Sequence, residues 1–317
     1  MEKIVVNSSN TRGSGRYRAI IKNIKANYQL YILLAPTVIM LIILNYIPMY
    51  GITLAFKDYV PSKGILGSPW VGLKYFERFF NSFSFSRILS NTLKISFASL
   101  IFGFPVPVIF ALMLNQLRQE KFKRMIQTIT YAPHFISTVV LVGMMMVFLS
   151  PRSGLINNII QMLGGEPIFF MAKKEWFIPL YILSDIWQNT GWNTIIYLAA
   201  LTSVNPELYE AAIVDGATKL QRIKHIDIPA ILPTIVITLI FACGGIMNVG
   251  FEKVFLMQNS LNREVSDVIA TYVFEQGLIR AQYSYSTAIG LFNTIVNIIL
   301  LITVNKIAKK LTDTSLW

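Results

Sequence analysis

The chain has 317 residues, of which 54% are hydrophobic and 14% charged, and its mean hydropathy is +0.55. Soluble domains carry about 25% charged residues, so this composition excludes an ordinary water-soluble globule and points to a bilayer as the solvent. The single cysteine, Cys243, excludes a disulfide framework, and two distant histidines, His134 and His225, offer no metal pair. In so apolar a chain the net charge of +12 marks cytoplasmic loops of a membrane protein rather than a nucleic-acid surface.

Crossing about 30 Å of hydrocarbon takes roughly 20 helical residues. Uncharged or nearly uncharged runs of that length place six transmembrane helices at about residues 29–56, 89–115, 126–150, 177–201, 231–252 and 283–305. The expected fold class is therefore all-α and integral to the membrane. The first run follows basic residues, as a signal peptide would. It is about twice a usual h-region and lacks a small-residue cleavage site, so it reads as a retained helix. In the third run Pro133 is expected to kink the helix next to His134. Cys243, Gly244 and Gly245 in the fifth read as close helix packing, and Met144–Met146 as apolar filler.

Six crossings put both termini on one side. Segments 1–28, 116–125, 202–230 and 305–317 hold sixteen Lys and Arg, against eleven in 57–87, 151–175 and 253–284. The short loop with Arg118, Lys121, Lys123 and Arg124 is the densest, so the expected orientation is N-terminus and C-terminus cytoplasmic in a multi-pass cell-membrane protein. The basic N-terminus (1–28, with Arg12, Arg16, Arg18, Lys22 and Lys25) reads as a topology determinant near anionic lipid, and 311–317 as a cytoplasmic tail. Outside, Trp70, Tyr75, Phe76, Phe79 and Phe80 suit the headgroup region. Gly154–Gly164 has the apolar spacing of a short interfacial helix ended by glycine.

The loop at 202–230 carries the most information. Asn205 is a good N-cap, Pro206 fits the first helical position, and Glu207 sits where the helix dipole favours it. Glu210, Ala211 and Ala212 continue the helix, and Gly216 can end it. A second short helix, Lys219 to Ile226, is expected to stop before Pro229. The small residues leave room for a partner's backbone.

This segment resembles the EAA loop of binding-protein-dependent ABC importer permeases. The family pattern is Glu-Ala-Ala, a Gly six residues after the Glu, and Ile-x-Leu-Pro ten residues after that Gly. Here stand Glu210-Ala211-Ala212, Gly216 and Ile226-Asp227-Ile228-Pro229, with Ile228 in place of the usual Leu. Asp215-Gly216-Ala217 and Gly154-Leu155-Ile156-Asn157 are similar to the sugar-importing branch, near the larger maltose permease subunit and the LplB-type polysaccharide permeases. The resemblance implies a type I importer permease fold (29–310). It also implies a coupling helix at about Asn205 to Ala217, docked on a cytoplasmic ATPase with Glu210 facing an Arg there. The coupling residues it implies are Glu210, Ala211, Ala212, Asp215, Gly216, Ala217 and Pro229. The implied partners are a second, related permease in a heterodimer, two ATPase subunits and an extracytoplasmic sugar-binding protein. The ATP and Mg sit on the ATPase, with no cofactor in this chain.

No GxxxxGKS/T phosphate loop occurs, so the energy must come from a partner or an ion gradient. A secondary transporter often shows repeats and several buried carboxylates. Here there is no clear repeat, and Asp185 is the one charge well inside a span. A membrane enzyme would need a clustered acid, base or metal site, which the sequence does not offer. An intramembrane carboxylate faces protein or water by default. Asp185, Gln188, Asn189 and Trp192 can share one side of a helix. Sugars offer hydroxyls to such amides and carboxylates and apolar faces to indole rings. These four are the expected lining of a sugar pathway, with Asn248, Phe251 and Glu252 as weaker candidates. The alternative is that they bond neighbouring helices.

Overall fold

A computed structural model describes residues 26–117, 119–312 and 314–317. The basic residues Arg12, Arg16, Arg18, Lys22 and Lys25, and Arg118 of the short loop, lie outside the described residues. Among the described residues the regular structure is helical, and the β pairing is an isolated antiparallel bridge between Lys57 and Trp70. The chain divides into two compact units, Met1–Thr53 and Leu54–Trp317.

Helix α1 (Tyr28–Phe56) supplies nearly all of the described part of the first unit, and its last turn, from Leu54, belongs to the second. Its apolar residues point all round, from Leu33 to Leu44 and Ile47, and its most apolar stretch buries nothing. A helix apolar on every side is a membrane span or is wholly buried in protein.

After Phe56 the second unit continues through a loop to α2 (Lys74–Phe80) and α3 (Phe85–Asn115), which passes a π turn at Ser99–Gly103. Next come α4 (Glu120–Phe135) and α5 (Thr138–Phe148), set at 98° to each other. The expected third span is thus a sharply broken pair. Pro133 prevents continuation, and Ser137 starts a new helix by accepting the Val140 N–H. Helix α6 (Leu155–Met162) is the short helix expected there, and Gly164 follows it at φ +83°. Helix α7 (Lys174–Thr202) runs 29 residues. Helices α8 (Pro206–Val214) and α9 (Lys219–Gly244) follow. The chain closes with α10 (Phe251–Met257), α11 (Arg263–Ser266), α12 (Ile269–Phe274) and α13 (Tyr283–Thr312).

Among the described residues four helices, α1, α3, α9 and α13, are long and apolar enough to cross a bilayer, or up to five with the broken pair α4–α5. Helix α7 has the length but also carries Asp185, Gln188, Asn189 and Asn193.

Two expectations are corrected. The short helix Lys219–Ile226 does not stop before Pro229: α9 is helical through to Gly244. A proline ring clashes with the carbonyl four residues back in a regular helix. The π turn at Ile223–Asp227 widens the spacing just ahead of Pro229 and lets the helix pass. The fifth helix also ends at Gly244, not 252. A Cβ on Gly244 would stand 2.5 Å from the Leu301 side chain, so α9 and α13 meet there at glycine distance.

Three apolar clusters hold the second unit. One joins Phe76 and Phe79 of α2 to Ile88, Met247, Ile269 and Ile289. The second joins Ile95, Leu141, Val142, Phe177, Ile182 and Val254. The third joins Ala111 and Leu114 of α3 to Leu198 and Leu201 of α7 and Ile231 of α9. The two ends of α7 thus lie in different clusters, and its polar middle falls between them.

Candidate functional site

The first candidate is the stretch around α8. Asn205 caps it, its Oδ1 accepting the Glu207 N–H at 3.1 Å. At the other end Gly216 takes φ +75°, a conformation that costs other residues about 1–2 kcal/mol. The Ala217 N–H reaches the Ala212 carbonyl at 2.8 Å, and the Gly216 N–H reaches that of Ile213 at 3.1 Å. This is the Schellman arrangement that satisfies the last carbonyls of a helix. Thr218 and Gln221 then form a capping box that starts α9.

Helix α8 buries none of its side chains. Glu210, Ala211, Asp215 and Gly216 are exposed, and Ala212 and Ala217 half-buried. Leu208, Ile213 and Val214 are exposed apolar residues on the same helix, Val214 at 87%. What ties α8 down is a carboxylate. Asp227, wholly buried in the π turn of α9, accepts from Tyr209 Oη at 2.5 Å and Gln116 Nε2 at 2.8 Å. Asn115 Nδ2 donates to the same carboxylate at 3.3 Å. Burial first, and then the bond to Asp227, push the Tyr209 phenol up to about 12. Pro229 lies two residues on and is exposed. The sequence reading passed over Tyr209 and Asp227; a carboxylate between Ile226 and Ile228 was the available signal.

The second candidate is the polar middle of α7, which faces two cavities. One, of about 880 Å³, is lined among others by Ser96, Asp185, Trp192, Asn193, Thr238 and Asn248. The other, of about 520 Å³, is lined among others by His134, Asp185, Gln188, Asn189, Glu252 and Lys253. Asp185 belongs to both. Its Oδ1 accepts from Asn189 Nδ2 at 3.0 Å and lies 3.6 Å from Lys253 Nζ. Lys253 is buried, donates to the Tyr181 carbonyl at 2.9 Å and sits 4.6 Å from the centre of that tyrosine's ring.

Because the Asn189 amide nitrogen faces Asp185, its oxygen faces His134 Nδ1, 2.9 Å away. His134 Nδ1 therefore carries the hydrogen. The His134 ring stacks on the Trp192 indole at 4.5 Å and 6°, while Phe135 meets that indole edge-on at 5.7 Å. Sequence reasoning singled out Asp185, Asn189 and Trp192 but missed their link through His134 and missed Lys253, which lies beyond the expected end of the fifth span.

The remaining expected residues divide. Gln188 is buried and donates to the Ile136 carbonyl at 2.7 Å, so its amide holds the break between α4 and α5. Asn248 Oδ1 accepts from Asn293 and Asn297 of α13 at 3.0 and 3.1 Å, which fixes the loop after α9. Glu252 and Phe251 are exposed at the start of α10. No group of three or more His, Cys, Asp or Glu is placed to hold a metal among the described residues.

Residues 103–313 match the family of binding-protein-dependent transport system inner membrane components. The polygalacturonan/rhamnogalacturonan transport system permease protein YteP of Bacillus subtilis (strain 168) is 47% identical over 302 residues, covering 95% of this chain and 94% of that protein. Protein LplB of the same organism is 47% identical, covering 93% and 92%. A chain in the crystal structure of a bacterial ABC transporter involved in the import of the acidic polysaccharide alginate superposes with a TM-score of 0.86 at 41% identity, covering 93% of this chain and 99% of that one. With most of its length matched in sequence and in fold, this all-helical, multi-pass chain belongs to the binding-protein-dependent inner membrane components and is a transport permease subunit rather than an enzyme.

Proposed function

We propose that this chain forms half of the translocation pathway of an ATP-driven importer for an oligosaccharide or complex glycan, handed over by an extracytoplasmic binding protein. The polysaccharides named for YteP and for the alginate transporter are acidic, so uronate oligosaccharides are the first substrates to test. In this reading six helices cross the bilayer (α1, α3, the pair α4–α5, α7, α9 and α13) and both termini are cytoplasmic. Helix α8 is the coupling helix. Glu210, Ala211, Ala212, Asp215, Gly216 and Ala217 meet an ATPase subunit, and Pro229 lies in the helix that carries the motion onward. Two such ATPases bind the ATP and Mg, and a second, related permease completes the pathway. Asp185, Asn189 and Trp192 face the sugar, with Gln188, Asn248 and Glu252 around them.

The supporting observation is the exposure of α8: a short helix, capped at both ends, that leaves its acidic and small residues open for a partner. The test is uptake of trigalacturonate by cells carrying Glu210→Arg or Gly216→Trp. Both variants are expected to reach the membrane and lose uptake. Undiminished uptake with both would refute the coupling role.

A further inference from the structure

Helix α8 has nine residues, and isolated helices shorter than about 12–15 residues are marginal. It buries no side chain. Apart from the chain at its two ends, among the described residues the side-chain hydrogen bonds that tie it to other helices run through one residue. Tyr209 Oη donates to Asp227 Oδ1 and receives Asn115 Nδ2 at 3.5 Å. The same carboxylate holds Gln116 Nε2 on its second oxygen. One wholly buried side chain therefore joins α8, the π turn of α9 and the end of α3.

The geometry points to a brace: Asp227 and Tyr209 are positioning residues that make α8, α9 and the end of α3 move as one body, so that a displacement of α8 becomes a displacement of two membrane helices. The inference rests on α8 being the coupling helix. Apolar contacts let a small exposed helix slide or roll. Hydrogen bonds are directional, and those from Tyr209 Oη and Gln116 Nε2 to the two carboxylate oxygens of Asp227 are short. Asp227 is fully buried, which shields these bonds from bulk solvent, so they persist when the helix is pushed. The placement in a π turn also matters. The wider turn interrupts the regular ladder of α9 at the residue to which α8 is tied, and π turns of this kind concentrate at functional positions.

The test uses the whole importer in proteoliposomes, with trigalacturonate as the probe and ATP hydrolysis measured in the same vesicles. Tyr209→Phe removes one hydroxyl from an exposed helix. We expect the complex to assemble and hydrolyse ATP, and the sugar delivered per ATP to fall about 5- to 10-fold. Gln116→Met attacks the brace from α3, leaves α8 whole, and is expected to lower the same ratio; it decides the matter should Tyr209→Phe fail to assemble. A Tyr209→Phe/Asp227→Asn double variant is expected to be no worse than the poorer single one, because both remove one link.

A wild-type ratio of sugar to ATP in Tyr209→Phe, or, without that variant, in Gln116→Met, overturns the brace, as do fully additive losses in the double variant. Glu210→Arg, run alongside, separates the two readings. Normal uptake there removes the coupling helix itself. Lost uptake there, with a normal ratio in the brace variants, removes the brace alone.

Discussion

Asp185 of α7 and Lys253 of α10 stand 3.6 Å apart, and the carboxylate of that pair lines the two cavities that flank the middle of α7. The pair is unequal: the lysine side chain is 7% exposed and the aspartate 45%. Removing one partner of such a pair costs most when the buried charge is the one left behind. Asp185→Asn should therefore lower the thermal unfolding temperature of the purified protein more than Lys253→Met, by an amount equivalent to about 1–3 kcal/mol. Unfolding in detergent measures it, and the reverse order would contradict the assignment of Lys253 as the buried partner.

Trp192 has one face against His134 and also lines the larger cavity. If a sugar ring rests there, Trp192→Ala removes a contact worth about 0.5–1.5 kcal/mol. The concentration for half-maximal uptake should rise about 3- to 10-fold, with Trp192→Phe recovering much of it. Uptake curves for the two variants check this. Unchanged half-saturation in Trp192→Ala would move the sugar elsewhere.

Gly191 allows α7 to lie against α4. A Cβ there would stand 2.1 Å from the Thr130 carbonyl oxygen, a backbone atom that cannot step aside. Gly191→Ala should destabilise by about 1–3 kcal/mol through forced separation of the two helices. Thr130→Ala should not relieve it, since the clash is with main chain. Thermal unfolding of the single and double variants tests both statements.

In the loop before α2, Asp58 accepts from Tyr75 at 2.6 Å and pairs with Lys74 at 3.0 Å. The tyrosine bond first, and the lysine second, hold the carboxyl below its ordinary value of 3.8. A group whose folded pKa is depressed stabilises above its unfolded pKa and loses that contribution as pH falls through the folded one. Asp58→Asn should be less stable than the parent at neutral pH, and the difference should close in acid, below the ordinary carboxylate range. Unfolding temperatures across that range check it. A gap that persists in acid would assign the effect to packing.

The sequence by itself determined the solvent, the helical class and the bounds of the short capped helix α8. Long uncharged runs leave a chain no other solvent, and in hydrocarbon a run of that length must satisfy its own backbone as helix. The caps of α8 were legible because they are local: Asn205, Pro206 and Gly216 act within a few residues of themselves. What only the tertiary structure decided is whatever depends on a distant partner. Pro229 could not be read as passable without the π turn ahead of it. The break at Ile136 could be read as a kink at Pro133 but not as a 98° turn held by Gln188 from another helix. Asp227 is polar in sequence and central in space because Tyr209, Asn115 and Gln116 converge on it. Lys253 becomes the counter-charge of Asp185 through the packing of α10 against α7. Caps and periodicity act along the chain and can be read from it. A buried charge is stable only where the fold brings its partners, and those come from segments far apart in sequence.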